Sequence, residues 1–422
     1  MIQIHPDIIN ICKALQTIVS NYEQECRELT VRAGTASVEF EKAKARQKFE
    51  KNLQVFLPKE DLEALDARAL SGSLEAESYK PDTRMPDGLF MGTIRYAIKM
   101  DTDCEYISQV LDAAYGEFIR FGTVLVLPLL LTAKASHLIF IENKDWESAV
   151  IESVKGFTCR YLLKMPVAGV DCYFIDGLRG RSSFEIFQPL EGHGLEIVKN
   201  GWAYTMEGIC QMLDSILNIK NYSRQSLLVI NNFPALFSAE SLDKLEKILL
   251  HSTQLGITVM INYNAKANTV KEGEINNKIR RLKQYMSCFE YVSEWLLPAD
   301  SAPYAISLNK IPRNWNRLLQ TYINEAVLRN QCLGVVNKQS EDNSNLFSRE
   351  LSLLHSIKPS SIINLSPDEI SQYQVDINKR TRFPKYYNKP MLGEYCLPVE
   401  KQTTLELEYL KTKLIINKEN RQ

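Results

Sequence analysis

Four short apolar runs limit what this chain can fold into: His-Leu-Ile-Phe-Ile (137–141), Val-Asp-Cys-Tyr-Phe-Ile-Asp (170–176), Ser-Leu-Leu-Val-Ile-Asn-Asn (226–232) and Ile-Thr-Val-Met-Ile-Asn (257–262). Each is too short for a helix, rich in β-branched or aromatic residues, and followed by loop residues or a helix-period segment. Strands alternating with helices imply crossover connections and a parallel sheet covered on both faces. Ligands of such sheets sit beyond the carboxyl ends of the strands. Chemistry is therefore expected just after these four runs.

The flanking segments have a different character. Ile8, Ile11, Cys12, Leu15, Ile18, Val19, Tyr22, Cys26 and Leu29 recur at three-and-four spacing, the stripe of an amphipathic helix. After an interruption at Gly34-Thr35, a charged segment with Glu-to-Lys pairs continues to about residue 56 as a second helix. Two readings stand side by side: an antiparallel helical hairpin, and a coiled coil that recruits another subunit. Residues 1–70 are read as this helical region, and 71–88, with Pro81 and Pro86-Asp-Gly, as a linker. An α/β domain over 89–335 follows, then a partly irregular extension over 336–422 in which 346–357 and 405–416 are candidate helices.

Within the α/β part, Gly92 to Met100 alternates as a strand should. Residues 122–131 read as a strand running into a turn ended by Pro128, and 304–310 as an edge strand. Helices are expected over 146–164, 206–219, 238–255 with Gly256 closing it, 273–286 and 314–330.

Composition narrows the function classes. With 50 basic and 51 acidic residues the formal charge is −1, so no global polycation announces nucleic acid. The nine cysteines are scattered singly and share no metal-ligand spacing with the five histidines, so no metal is expected and the cysteines read as core residues of a reducing compartment. The most apolar run, Thr123 to Leu131, is far short of the roughly 20 residues that span a bilayer, and no basic-then-apolar leader opens the chain. A cytoplasmic protein without membrane contact is expected.

A phosphate-binding loop would need glycines after the first core strand, then Lys and Ser or Thr at the helix start. The junction reads Phe140-Ile-Glu-Asn-Lys-Asp-Trp-Glu-Ser-Ala and has no glycine. If Ser148 holds the magnesium-binding position, Glu147 occupies the lysine position, where a carboxylate repels phosphate. Lys144 reads as a displaced substitute or as part of a charged surface loop. The strand-end acids are also missing: Asn231 and Asn232 stand where a metal-organising Asp and a water-activating Glu belong, and amides do neither job. Asp176 reads either as an acid or as a carboxylate capping the turn after it. The loop Gly177-Leu-Arg-Gly-Arg-Ser-Ser is the best positive site. Arg179 and Arg181 could grip a phosphate backbone, act as arginine fingers toward a neighbour's nucleotide, or form an ordinary solvated loop. Arg280, Arg281 and Lys283 form a second basic group, read as phosphate contacts or as a solvated helix face.

Three segments carry a resemblance. Arg160-Tyr-Leu-Leu-Lys-Met-Pro, Cys172-Tyr-Phe-Ile-Asp-Gly with Gly180 and Phe184, and Leu228-Val-Ile-Asn-Asn-Phe-Pro-Ala-Leu-Phe-Ser together resemble the FtsK/SpoIIIE-type ATPase domain of DNA translocases, over about residues 89–330. The resemblance implies a P-loop NTPase-like (RecA/FtsK-like) mostly parallel sheet preceded by a helical hairpin or coiled coil. It also implies a subunit of an oligomeric or multi-protein complex, with DNA or an active ATPase as partner. The departures at Glu147, Asn231 and Asn232 imply a degenerate copy with no cofactor, a structural or regulatory part of a bacterial DNA-translocating or anti-phage complex. An active ATPase using ATP and Mg²⁺ through Lys144 and Asp176, and a purely structural adaptor without nucleic-acid contact, are the alternatives.

Overall fold

The computed structural model describes residues 1–32, 35–71, 74, 79–81, 84–191, 195, 197–219, 224–267 and 273–342. The candidate helices at 346–357 and 405–416, and residues 72–73, 75–78 and 82–83 of the expected linker, lie outside the described residues. The chain divides into two units, Met1–Val327 and Leu328–Gln422. The sheet and the helices packed on it belong to the first.

In chain order the elements are α1 (Pro6–Arg32), α2 (Thr35–Phe56), α3 (Lys59–Ser71), β1 (Gly88–Ala97), α4 (Cys104–Tyr115), β2 (Ile119–Arg120), β3 (Val124–Thr132), β4 (Leu138–Asn143), α5 (Glu147–Lys164) and β5 (Val170–Asp176). A 3₁₀ segment over Gly180–Glu191 follows, then β6 (Val198–Ala203), α6 (Met206–Leu217), β7 (Gln225–Phe233), α7 (Ala239–Leu250), α8 (Ser252–Leu255) and β8 (Ile257–Asn264). The series closes with α9 (Gly273–Gln284), β9 (Ser287–Val292), β10 (Trp295–Pro298), β11 (Tyr304–Leu308) and α10 (Trp315–Asp342). Eleven strands form one sheet in the order β2-β3-β1-β11-β10-β9-β4-β8-β7-β5-β6. From β9 to β6 all neighbours are parallel, and from β9 back to β2 all are antiparallel.

The four apolar runs are β4, β5, β7 and β8, and their side chains alternate between two buried layers. Ile139, Ile141, Phe174, Val229 and Met260 join the core that also holds α1, α2 and α5. Phe140, Tyr173, Ile175, Leu228, Ile230 and Ile261 join the core beneath α6, α7 and α9. Both faces are covered, which is why these strands read as nearly continuous apolar runs. Helix α5 lies against the sheet because Gly156 carries no Cβ: one placed there would sit 1.9 Å from the Asn309 carbonyl oxygen. Arg160, one turn later, donates from Nη1 to the Lys310 carbonyl at 2.6 Å and pins the helix.

Three expectations are corrected. β3 does not end at Pro128 but runs through it to Thr132. Residues 126, 130 and 132 bond outward, to Phe118, His5 and Gln3. Position 128 has the same parity, and among the described residues no strand pairs with it on that side, so its missing N–H costs no ladder bond. β11 is not an edge strand: it lies between β1 and β10. The helical region 1–70 is not a body apart, since Leu15, Val19, Phe49 and Leu62 share one core with β1 and β3.

The amino end of the parallel strands is closed by the N-terminal segment. Gln3 donates its backbone N–H to His137 Nδ1 at 3.2 Å, while His137 Nε2 donates to the Thr132 carbonyl at 3.1 Å. Ile2 N–H reaches Ser287 Oγ at 2.8 Å. His137 is fully buried, and that burial pushes its pKa down to about 4.

Candidate functional site at the carboxyl ends of the strands

In-register pairing sets the site. β5 and β7 place Asp176 beside Asn231, and β4 and β8 place Asn143 beside Asn264. Asp176 is the last residue of β5, and the chain then turns sharply. Its Oδ1 accepts the backbone N–H groups of Leu178 and Arg179, each at 2.9 Å. The 3₁₀ segment begins with Gly180 at φ 58° and carries Ser183 back, so that the serine hydroxyl donates to Oδ2. Asn231 Nδ2 donates to Oδ2 at 2.6 Å, and Asn232 Nδ2 reaches both oxygens at 3.1 and 3.2 Å. Asn232 can do so because its backbone sits in the left-handed region, φ 52°, a conformation asparagine tolerates better than most residues. The left-handed turn folds its amide under the end of β7.

The amides continue across the sheet. Asn231 Oδ1 accepts from Asn262 Nδ2 at 2.6 Å, and Asn232 Oδ1 from Asn264 Nδ2 at 3.3 Å. Asn231 must turn its nitrogen to the carboxylate, so its oxygen faces Asn262, which fixes that amide in turn. Asn262 Oδ1 is left buried without a partner. Asp176, Ser183, Asn231, Asn232 and Asn262 are all buried. A carboxylate offers about four lone-pair directions. Five donating groups already converge on Asp176, which leaves it no free face for a metal ion or a water to be activated. Among the described residues no three His, Cys, Asp or Glu side chains come together as a metal site.

The remaining nominated residues surround this cluster as ion pairs. Glu147, the first residue of α5, takes Arg179 Nη2 at 2.9 Å. Lys144 holds Glu290 at 2.5 Å, and the hydrogen bond to Glu290, with its charge, raises the lysine pKa. Lys283 pairs with Glu142 at 2.5 Å and stands over the rings of Phe140 and Tyr263. Arg181 lies 3.7 Å from Glu191, Arg281 lies 3.6 Å from Glu246, and Arg181 also lines a cleft of about 310 Å³ with Trp202. Arg280 and Ser148 are exposed. Asp176, Asn231 and Asn232 thus converge, and Glu147 meets Arg179, while Lys144, Arg281 and Lys283 are engaged with other carboxylates. Sequence reasoning missed Ser183, Asn262 and Asn264. Asparagines at the ends of two separate apolar runs were the available signal.

No family model and no curated protein matches this chain. Among solved structures it is similar, at 13% identity over 43% of this chain and 38% of the other, to Thermomonospora curvata EccC (ATPases 2 and 3) in complex with a signal sequence peptide, TM-score 0.31. A second similarity, at 9% identity over 58% of this chain and 49% of the other, is to EssC (ATPases 2 and 3) from Geobacillus thermodenitrificans, TM-score 0.33. The chain therefore spans less than half the length of either. No helix among the described residues is long and apolar enough to cross a membrane.

Proposed function

We propose that this chain is a non-hydrolysing relative of FtsK/SpoIIIE-type DNA-translocating ATPases that serves as a structural or regulatory subunit of a bacterial DNA-translocating or anti-phage complex. The observation that carries the reading is the saturation of Asp176. This carboxylate, at the end of β5, accepts from Leu178, Arg179, Ser183, Asn231 and Asn232, and is held as a structural acceptor. Glu147 supports the same reading, because it sits where a phosphate would need a cation and instead neutralises Arg179.

The ion pairing of Arg179 and Arg181 favours a protein partner, such as an active ATPase subunit, over DNA for this edge. The reading is tested by titrating the full chain with a fluorescent ATP analogue and Mg²⁺, alongside an ATP-turnover assay. The expected result is no saturable binding into the millimolar range and no turnover. Saturable binding with turnover that Lys144→Ala abolishes would overturn it in favour of an unconventional phosphate loop.

A further inference from the structure

On the sheet face that α6 and α7 cover, a cysteine is held against a lysine. Both helices are amphipathic and lay their apolar stripes on the strands, Ile209, Leu213 and Ile216 from α6 and Leu242, Leu245 and Ile248 from α7. Both also start at a fixed point. Thr205 Oγ1 accepts the Gly208 N–H at 3.0 Å, and Ser238 and Ser241 close a capping box on α7.

Residues four apart share a helix face, so Cys210 and Asp214 leave α6 together and Glu240 and Lys244 leave α7 together. The two faces meet at the lysine. Lys244 Nζ donates to Asp214 Oδ2 at 2.6 Å and pairs with Glu240 Oε1 at 2.8 Å. An ammonium has three donors, and the third ends on Cys210 Sγ at 2.9 Å. Nitrogen and sulfur are therefore already at the separation from which a bond forms. The Lys244 side chain is only 16% exposed, so the amine has little room to swing away. Cys210 is partly exposed, so a small solute reaches its sulfur, whereas Cys12, Cys159 and Cys172 are buried in the core.

We propose that Cys210 and Lys244 are a modification site, joined by a reversible sulfenamide bond when the chain meets hydrogen peroxide. In the first step the Cys210 thiolate attacks one peroxide oxygen. An S–O bond forms, the O–O bond breaks, and the departing hydroxide takes a proton to become water. The sulfur is oxidised to sulfenic acid and the peroxide is reduced. In the second step the unprotonated Lys244 amine attacks that sulfur. An S–N bond forms, the S–O bond breaks, and the hydroxyl leaves as water with one proton of the amine. One thiol, one amine and one peroxide thus give one sulfenamide and two waters. The hydrogen bonds to Asp214, Cys210 and Glu240 raise the lysine pKa, so the reacting amine is a small fraction at neutral pH and grows as pH rises. The bond ties α6 to α7 between residues 34 apart and, like a disulfide, closes a loop in the unfolded chain.

The inference does not depend on whether the chain hydrolyses nucleotide. To test it, the full chain is treated with hydrogen peroxide in mildly alkaline buffer, digested with trypsin without reductant, and read by mass spectrometry. The expected product joins the peptide 200–220 to the peptide 225–247 and is lighter by two hydrogens than the two together. Cleavage after Lys244 is lost in it, because trypsin needs the free amine. Dithiothreitol before digestion restores both peptides, since its thiolate attacks the sulfur and releases the amine. Lys244→Arg keeps a cation beside Asp214 and Glu240 but has no nucleophilic amine. In that variant the cross-link is absent and dimedone labels Cys210 as sulfenic acid. Cys210→Ser leaves cleavage after Lys244 intact under peroxide. A wild-type Cys210 that stays a thiol, or one that dimedone labels while Lys244 is still cleaved, would overturn the proposal.

Discussion

The two ends of the parallel block bury ionisable groups in opposite ways. At the carboxyl end every neighbour of Asp176 is a donor: two backbone N–H groups, two amides and a hydroxyl. At the amino end His137 meets one donor, the Gln3 amide, and one acceptor, the Thr132 carbonyl. A ring that must accept at Nδ1 and donate at Nε2 has to be neutral. The first site is built around an acceptor that can carry charge, and the second around a group from which charge is withheld. Equal burial therefore says nothing about role until the donors and acceptors are counted.

Breaking the carboxyl-end cluster should have the largest effect. Asp176→Ala leaves two backbone N–H groups, two buried amides and the Ser183 hydroxyl short of an acceptor, and is expected to cost about 4 kcal/mol in urea unfolding. A loss under about 1 kcal/mol would mean that water enters the cluster freely.

The amino end answers to pH. Above about 6.5 neither the folded nor the unfolded chain protonates this histidine. Between 6.5 and about 4 only the unfolded chain does, so stability falls as pH drops through that window and levels off below it. The expected contribution is about 3 kcal/mol, from the downward shift at 1.36 kcal/mol per pH unit. Urea midpoints of the wild type and His137→Gln across this range should differ in slope. Parallel slopes would show that the ring is not held neutral.

The smallest effect sharpens the carboxyl end. Asn262→Ala removes a bond to Asn231 Oδ1 but also a buried carbonyl that has no partner. The two changes offset, so a loss of about 1 kcal/mol is expected by the same unfolding measurement. A loss as large as that of Asp176→Ala would place Asn262 at the centre of the cluster instead of its margin.

Much of the parallel half could be read from sequence, because strands covered on both faces must be apolar throughout and the helices between them show their period. Ser238 capping α7 and Gly256 at φ 58° closing α8 are where local chemistry announces them. The antiparallel half was harder. The β9–β10 hairpin turns at Ser293 and Glu294, both with positive φ, without the Asn-Gly signal that such turns usually carry. At the site, the absence of acids at 231 and 232 was visible in the chain. Their service to Asp176 was not, because it depends on parallel register between segments 55 residues apart and on the left-handed backbone of Asn232.

The outer side of β3 has one more consequence. An unpaired strand edge is a template on which another chain can add a strand, the first step toward fibrils and swapped aggregates. Here β2 and Phe118 occupy one stretch of that edge, Gln3 and His5 occupy another, and Pro128 stands between them with no N–H to offer. A strand arriving from another molecule would find many of its bonds already made and, at the proline, no N–H to bond. Along β3, growth by strand addition is thereby made harder.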